Sequence, residues 1–214
     1  MLSTIATVFS LAAAATATGI AVTPHDVYSS SIGVLGCKIN TNRVAYWPGA
    51  VDCNNLCVQL THPSGRQVNV LRIDSSGGAH DISYDAWNYL STGKGAAEDP
   101  TQGGGINVDW KYVDMAECDD LIHTPDHKLP LMAANSMNFV AGCPANSWVG
   151  ANYELYNIQN SACTLGYDEV CTLPPPSVSN QATCPHQLGI QTPLTTDPVY
   201  DLVYGTGAKQ LVTQ

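Results

Sequence analysis

The eight cysteines of this chain constrain its fold more than any other feature. They follow residues 1–17, a segment without charged side chains that is rich in alanine and aliphatic residues and ends in Ala15-Thr16-Ala17. Such a segment is typical of a secretory signal peptide, and it is shorter than the roughly 20 residues of a membrane-spanning helix. Secretion leads to an oxidising compartment, where cysteines pair. We therefore predict a secreted protein with four disulfides, in a pairing that the spacing does not determine, among Cys37, Cys53, Cys57, Cys118, Cys143, Cys163, Cys171 and Cys184.

The balance of charge narrows the choice of partners. Eight Lys and Arg residues stand against eighteen Asp and Glu residues, which gives a net charge of −10 at pH 7. A chain this acidic is repelled by phosphate backbones and by anionic lipid surfaces. We therefore expect neither a nucleic acid nor a membrane as partner, and a basic extracellular protein or a neutral polysaccharide remains.

Short alternating runs between Gly, Pro and Asn turns predict that strands dominate the first half of the chain. Residues 56–61 and 67–74 are predicted to form a hairpin around the turn 62–65, and residues 106–113 a further strand. Apolar residues at helical spacing behind Ser83 predict one short helix that ends near Gly93. Residues 18–36 are interpreted as a polar N-terminal lead.

The second half is less regular. We predict strands at residues 137–140 and 153–158 and a disulfide-stapled extension over residues 121–186. The Gln-, Thr-, Ser- and Pro-rich residues 187–214 offer little apolar surface for burial, so we predict a flexible tail there.

Four segments, residues 52–58, 70–78, 79–83 and 104–118, stand in a distinctive order. An Ile-Asp turn precedes His80-Asp81-Ile82-Ser83 and the short helix, and a Gly-Ile strand then leads to Cys118. Over residues 33–118 this order resembles the double-psi β-barrel proteins of the expansin, loosenin, barwin and family-45 endoglucanase kind. The resemblance implies a mainly β fold, with a six-stranded double-psi β-barrel at residues 37–120, one or two short helices and an irregular C-terminal extension.

The same resemblance implies a ligand-binding groove with Asp81 at its floor. The other candidate groove residues are His80, Asp74, Trp47, Tyr46, Trp110 and Tyr112. This chain departs from the family pattern in two ways: His80 directly precedes Asp81 without an intervening Phe, and residues 48–51 separate Asp52 from the Tyr46-Trp47 pair. An inverting glycosidase needs two carboxyl groups about 6.5–9.5 Å apart. Asp81 and Asp52 are the candidate pair, and without such a pair the groove binds but does not cut.

Structural interpretations of the same residues remain open. Asp81 is equally expected to cap the following helix, and Asp74 to stabilise its own turn. Trp87 lies on the apolar stripe of the helix and is expected in the core. His123, Asp126 and His127 are metal-type ligands, but Pro125 prevents a regular helix that would align them, so we predict no metal and no cofactor.

These features favour a secreted, non-enzymatic protein. We predict a monomeric fungal-type effector or elicitor that acts in the extracellular space of a plant host or at its cell wall, by binding a basic defence protein or a wall polysaccharide. The first alternative is an expansin-like wall-loosening protein that binds carbohydrate. The second is an inverting β-glucan hydrolase that uses Asp81 and Asp52.

Overall fold

A computed structural model describes residues 18–175 and 179–213. The predicted signal peptide at residues 1–17 lies outside the described residues. None of the helices in the described ranges combines the length and the hydropathy of a membrane-spanning segment.

Six strands close into a barrel. Their order around the barrel is β1-β5-β2-β4-β3-β6. The β1/β5 and β2/β4 pairs are parallel and the four other pairs are antiparallel. The closed barrel and its few short helices confirm the predicted mainly β fold class. The strands are β1 (Thr18–His25), β2 (Val44–Pro48), β3 (Cys57–Thr61), β4 (Gln67–Ser76), β5 (His80–Ser83) and β6 (Ile106–Tyr112).

The barrel begins earlier than the sequence predicted. Thr18–His25, assigned to a polar lead, is strand β1 and pairs with β5 and β6. Val22 from this strand is fully buried in the barrel core. Both partners of β1 lie more than fifty residues further along the chain, so no local hairpin signal marks this segment as a strand.

The predicted hairpin and helix are present. Strands β3 and β4 pair antiparallel, and helix α1 spans Tyr84–Thr92. Gly93, with φ of 90°, terminates the helix in the left-handed region that glycine adopts without strain. Trp87 is 2% exposed and packs, together with Leu90, against the barrel interior, as expected of a core residue.

The extension forms a second, smaller sheet on the outside of the barrel. Its strands β7 (Leu129–Met132), β8 (Tyr153–Ile158) and β9 (Gly166–Cys171) have the order β7-β8-β9. Two short helices, α2 (Met137–Gly142) and α3 (Trp148–Ala151), lie between β7 and β8. The strand predicted at residues 137–140 is therefore wrong, because a four-residue apolar run does not distinguish a strand from a helical turn.

Four disulfides hold these parts together, as predicted. Two of them, Cys37–Cys163 and Cys53–Cys143, join the barrel side to the extension. Cys57–Cys118 links β3 to the segment after β6, and Cys171–Cys184 closes a loop within the extension. The extension is thus covalently clamped to the barrel.

The C-terminal residues pack against the barrel, which corrects the prediction of a flexible tail after residue 187. Strands β10 (Tyr200–Leu202) and β11 (Lys209–Leu211) form a hairpin. Val199, Leu202 and Val212 are each less than 10% exposed. A few apolar side chains in a polar sequence therefore anchor this segment.

Candidate functional site

The barrel wall divides the predicted groove residues into two sets. Neighbouring side chains on a strand face opposite sides of a sheet. On β2, Trp47 packs in the barrel core, whereas Tyr46 packs in the second core on the outside. On β5, His80 contacts Trp47, whereas Asp81 accepts a hydrogen bond from Thr23. The structure thus separates an inner set, Trp47, His80, Trp110 and Tyr112, from an outer set, Tyr46, Asp74 and Asp81.

The inner set forms an aromatic row at the end of β6 that is remote from α1. Ring centroids are 5.1 Å apart for His80 and Trp47, 4.9 Å for Trp47 and Trp110, and 5.1 Å for Trp110 and Tyr112, all in edge-on contacts. Trp47 is 2% exposed, whereas Tyr112 is 37% exposed. The row therefore leads from the barrel core to the surface.

The buried Arg72 side chain holds the exposed end of this row and the loop after β2 in place. The side chain is 7% exposed, and its Nη1 donates to the Tyr112 hydroxyl at 2.9 Å. Its Nη2 donates to the Pro48 and Ala50 carbonyls at 3.0 Å each, which fixes the loop after β2. Burial and the Arg72 guanidinium together lower the pKa of His80, against the opposing effect of Asp81. This shift favours the neutral form of the His80 ring.

Three buried donors in this region lack a hydrogen-bond acceptor in the described part of the chain. They are Trp47 Nε1, Trp110 Nε1 and Arg72 Nε. A buried donor without an acceptor destabilises the fold by about 1–3 kcal/mol. Exposed aromatic faces at a barrel mouth are chemically suited to a hydroxyl-bearing ligand such as a saccharide.

The outer set is built around Tyr46. This side chain is 4% exposed and its ring lies 4.5 Å from that of His25. Burial raises the pKa of Tyr46 far above its usual value, and the nearby Asp201, Asp74 and Asp81 carboxylates raise it further. The adjoining cavity has a volume of about 10 Å³, enough for one water molecule and too small for a sugar ring.

Asp74 and Asp81 have different roles in this outer set. Asp74 accepts hydrogen bonds from Ser29 Oγ at 2.5 Å, from Ser31 N at 2.9 Å and from Ser75 N at 2.7 Å. Asp74 thus anchors the segment after β1 and its own strand end. Asp81 does not cap the helix: no cap hydrogen bond comes from the residue before α1, and the Asp81 carboxylate bonds to β1 instead. The capping interpretation is wrong because Asp81 belongs to a strand paired on both sides.

Asp52 belongs to a separate hydrogen-bond network. Its Oδ1 accepts from the backbone nitrogens of Asn54 at 2.6 Å and Asn55 at 2.7 Å. The hydrogen bond from Asn54 is the main cause that lowers the pKa of this carboxylate. The carboxylates that surround Tyr46 together with Asp81 are Asp74 and Asp201, not Asp52. Asp52 therefore stabilises a turn, whereas the Asp81 carboxylate bonds to Thr23 on β1.

An acidic 3-10 helix, Met115–Leu121, is a further candidate that the groove prediction missed. Asp114 caps it by accepting from Ala116 N at 3.0 Å, and Glu117, Asp119 and Asp120 lie on the helix. In the described residues, no ion pair involves these four carboxylates. The only sequence signal was the run of acids itself, four within residues 114–120.

A groove of about 270 Å³ adjoins this helix. Glu117 and Asp120 line it from the helix, and Gln67 and Asn69 line it from β4. Arg43 also lines the groove, but its charge is taken up by Asp85, at 2.6 Å from Nη1. The acidic helix and this groove, together called the acidic face below, form a surface that suits a cationic side chain.

The predicted metal-type ligands do not assemble into a centre. His127 Nδ1 lies 3.0 Å from the Ile122 carbonyl oxygen, and Asp126 pairs with Lys128 at 3.1 Å. In the described ranges, no group of three His, Cys, Asp or Glu side chains has the arrangement of a metal site.

Comparisons with known proteins place few limits on function. No family model and no curated protein matches the chain. Cerato-platanin 3 from M. perniciosa is 18% identical, with a TM-score of 0.36 over 47% of this chain and 98% of its own. The fungal elicitor Cerato-Platanin is 17% identical, with a TM-score of 0.31 over 46% of this chain and 96% of its own. The two TM-scores and the two sequence identities are too low to carry an argument about this chain.

Proposed function

We propose that this protein is a secreted, non-enzymatic effector or elicitor of fungal type that binds a basic extracellular protein of a plant host. The observation that carries the proposal is the acidic face. It holds four carboxylates without ion-pair partners in the described residues, and two of them, Glu117 and Asp120, line the groove. The site of action is the extracellular space or the cell wall.

Electrostatics supports a basic partner. Clustered like charges attract an oppositely charged protein over a distance and raise its association rate at low salt. Glu117 and Asp120 are both exposed, so a Lys or Arg side chain can reach them. Gln67 and Asn69 line the groove with neutral amides, whose nitrogens donate within the protein to Thr61 Oγ1 at 3.1 Å and to the Glu117 carbonyl at 2.7 Å.

A binding role rather than hydrolysis is supported by the carboxylates. Asp52 is engaged by its own turn and Asp81 by Thr23, and the cavity beside Tyr46 does not admit a sugar. An inverting hydrolase requires a facing acid and base with water between them.

Charge reversal on the acidic face tests the proposal. The variant with Glu117→Lys and Asp120→Lys is compared with the variant with Glu98→Lys and Asp99→Lys, two exposed acids beside Lys94. Both variants change the net charge equally. In affinity capture from plant apoplastic fluid, wild-type protein and the control variant retain basic proteins, whereas the acidic-face variant loses them. Equal loss in both variants, or capture of acidic proteins only, contradicts the proposal.

A second candidate function is expansin-like binding of a neutral wall polysaccharide, favoured by the aromatic row, which reaches the surface at the exposed ring of Tyr112. We expect Trp110→Phe to weaken a pull-down on insoluble β-glucan if the aromatic row binds the polymer, and Asp81→Ala to weaken it if the outer set does. Release of reducing sugar that disappears in Asp81→Ala would instead support the hydrolase that uses Asp81 and Asp52.

A further inference from the structure

A groove of about 350 Å³ lies between the C-terminal hairpin and two short 3-10 helices that precede β2. These helices are Gly36–Lys38 and Thr41–Arg43. Residues of this segment line one side of the groove, and the hairpin with the preceding Asp197 lines the other. The volume lies within the range of about 300–1,000 Å³ that is usual for small-molecule sites, and neither candidate function uses this groove.

Both walls of the groove are fixed to the rest of the molecule. Cys37 lines the first wall and is joined to the extension by its disulfide. In the second wall, Val199 and Leu202 are 4% and 7% exposed and pack into the two hydrophobic cores. Between them, the Asp201 carboxylate accepts a hydrogen bond of 2.9 Å from Tyr28 N. The groove is therefore preformed, so a ligand does not have to order its walls.

Five polar side chains line the groove and are available to a ligand. The Thr41 hydroxyl, the Asn42 side-chain amide and the Tyr200 hydroxyl make no hydrogen bond within the described chain. Asp197 and Lys209 both line the groove, and neither takes part in an ion pair among the described residues. Lys209 Nζ lies 5.9 Å from the centroid of the Tyr200 ring, which places this cation beside the ring.

The two charged side chains determine which ligand charge fits the groove. Lys209 attracts a carboxylate and Asp197 attracts an ammonium group. An anion without an ammonium group meets the like charge of Asp197, and a cation without a carboxylate meets that of Lys209, so a molecule with both groups is favoured. Such a zwitterion has no net charge, so the net charge of −10 on the chain does not repel it. The Tyr200 ring, which is 43% exposed, offers an aromatic face to the ligand.

From this lining we infer that the groove binds a small zwitterion with an aromatic side group, of the class of the free aromatic amino acids. The ligand carboxylate pairs with Lys209, its ammonium group pairs with Asp197, and its ring packs against Tyr200. Thr41 and Asn42 provide further hydrogen bonds. This site shares no lining residue with the acidic face and none with the aromatic row.

Three probes with one carbon skeleton test the inference in two-dimensional NMR titrations at pH 7, which detect millimolar affinities. L-phenylalanine carries both charges, phenethylamine lacks the carboxylate, and 3-phenylpropanoate lacks the ammonium group. We expect saturable one-to-one binding of phenylalanine. Because exposed ion pairs are weak, we expect each single-charge probe to bind at least about threefold more weakly, which is about 0.65 kcal/mol. The absence of saturable phenylalanine binding, or equal affinities for the three probes, would overturn the inference.

Charge-neutralising variants locate the site. Lys209 and Asp197 are exposed, so Lys209→Gln and Asp197→Asn leave the core intact. We expect Lys209→Gln to weaken phenylalanine at least about threefold without weakening phenethylamine, which has no carboxylate to lose a partner. By the same reasoning, Asp197→Asn should weaken phenylalanine without weakening 3-phenylpropanoate.

A matched control is Lys111→Gln. Lys111 is exposed on β6 and absent from the groove lining, so its variant makes the same change in net charge and should leave the three affinities unchanged. Equal effects of Lys209→Gln and Lys111→Gln on phenylalanine would contradict the assigned site. An equal loss of phenylalanine and phenethylamine in Lys209→Gln would also contradict it, because Lys209 would then not recognise the carboxylate.

Discussion

The barrel and the extension are both small β-structures, yet they are held together by different means. Every barrel strand is hydrogen-bonded on both sides, because the sheet closes on itself. The extension has three strands with open edges, and three of the four disulfides attach to it or lie within it. Closure removes exposed edges, whereas an open three-stranded sheet depends on packing and covalent links. The barrel is thus stabilised by the hydrogen bonds of its closed sheet, and the extension by its disulfides.

Removal of a disulfide between distant residues gives the largest expected loss in the free energy of unfolding. Cys53 and Cys143 are 90 residues apart, whereas Cys171 and Cys184 are 13 apart. The chain-entropy model gives a loss of about 4.6 kcal/mol for the first double Cys→Ser variant and about 2.9 kcal/mol for the second. In hydrogen exchange, protection should fall in the extension and persist in β1–β6. Equal loss of protection in the barrel would contradict the contrast between the two regions.

Two glycines test the same contrast at a smaller scale. Gly166 in β9 has φ of +110°, and an added Cβ would lie 2.3 Å from the Asn157 carbonyl oxygen. Gly65 in the barrel hairpin has φ of +88° and no atom within 4 Å of such a Cβ. Gly65→Ala should cost about 1–2 kcal/mol from the left-handed backbone alone. Gly166→Ala should cost about 1–3 kcal/mol more, because backbone must shift. Chemical denaturation measures both, and equal losses would argue against a tightly packed extension.

The smallest predicted effect is a pH dependence that belongs to the barrel mouth. Burial and Arg72 lower the pKa of His80 in the folded protein. The unfolded chain therefore binds more protons than the folded chain as the pH falls, so this contribution to stability is present above about pH 6.5 and is lost below it. Between pH 7.5 and pH 5.5, the free energy of unfolding should fall less in His80→Gln than in wild type. His62, whose pKa is also lowered, by burial and then by Arg66, contributes equally to both proteins. If the free energy of unfolding fell by the same amount in both proteins, His80 would not contribute to the pH dependence of stability.

Sequence reasoning succeeded where structure is local. Strands β3 and β4 are consecutive, so alternation and the intervening turn were sufficient to predict their pairing. Strand β1 was missed because its partners are distant, and α2 was misassigned because its apolar run is short. The anchoring of the last residues depends on Val199, Leu202 and Val212, which composition averages conceal.

Sequence reasoning named the residues of the candidate site but did not predict how they are arranged in space. Tyr46 and Trp47 are neighbours on one strand, as are His80 and Asp81, so each pair had to divide between the two sides of the wall. The double partnership of β5, which keeps Asp81 on a strand rather than at a helix start, depends on β1 and is invisible locally. The run of acids was visible, but its position beside a groove required the packing of Met115–Leu121 near Asn69, whose Nδ2 donates to the Glu117 carbonyl at 2.7 Å.

The central claim is that the acidic face recruits a basic partner. Its most direct test is the association rate between this protein and a basic apoplastic protein recovered by capture, measured at about 50 mM and 500 mM salt for wild type and for the variant with Glu117→Lys and Asp120→Lys. Surface charges act mainly on association and its salt dependence. At low salt the wild type should associate at least about tenfold faster than the variant, and the difference should nearly vanish at high salt. Equal rates with the same salt dependence would contradict the claim.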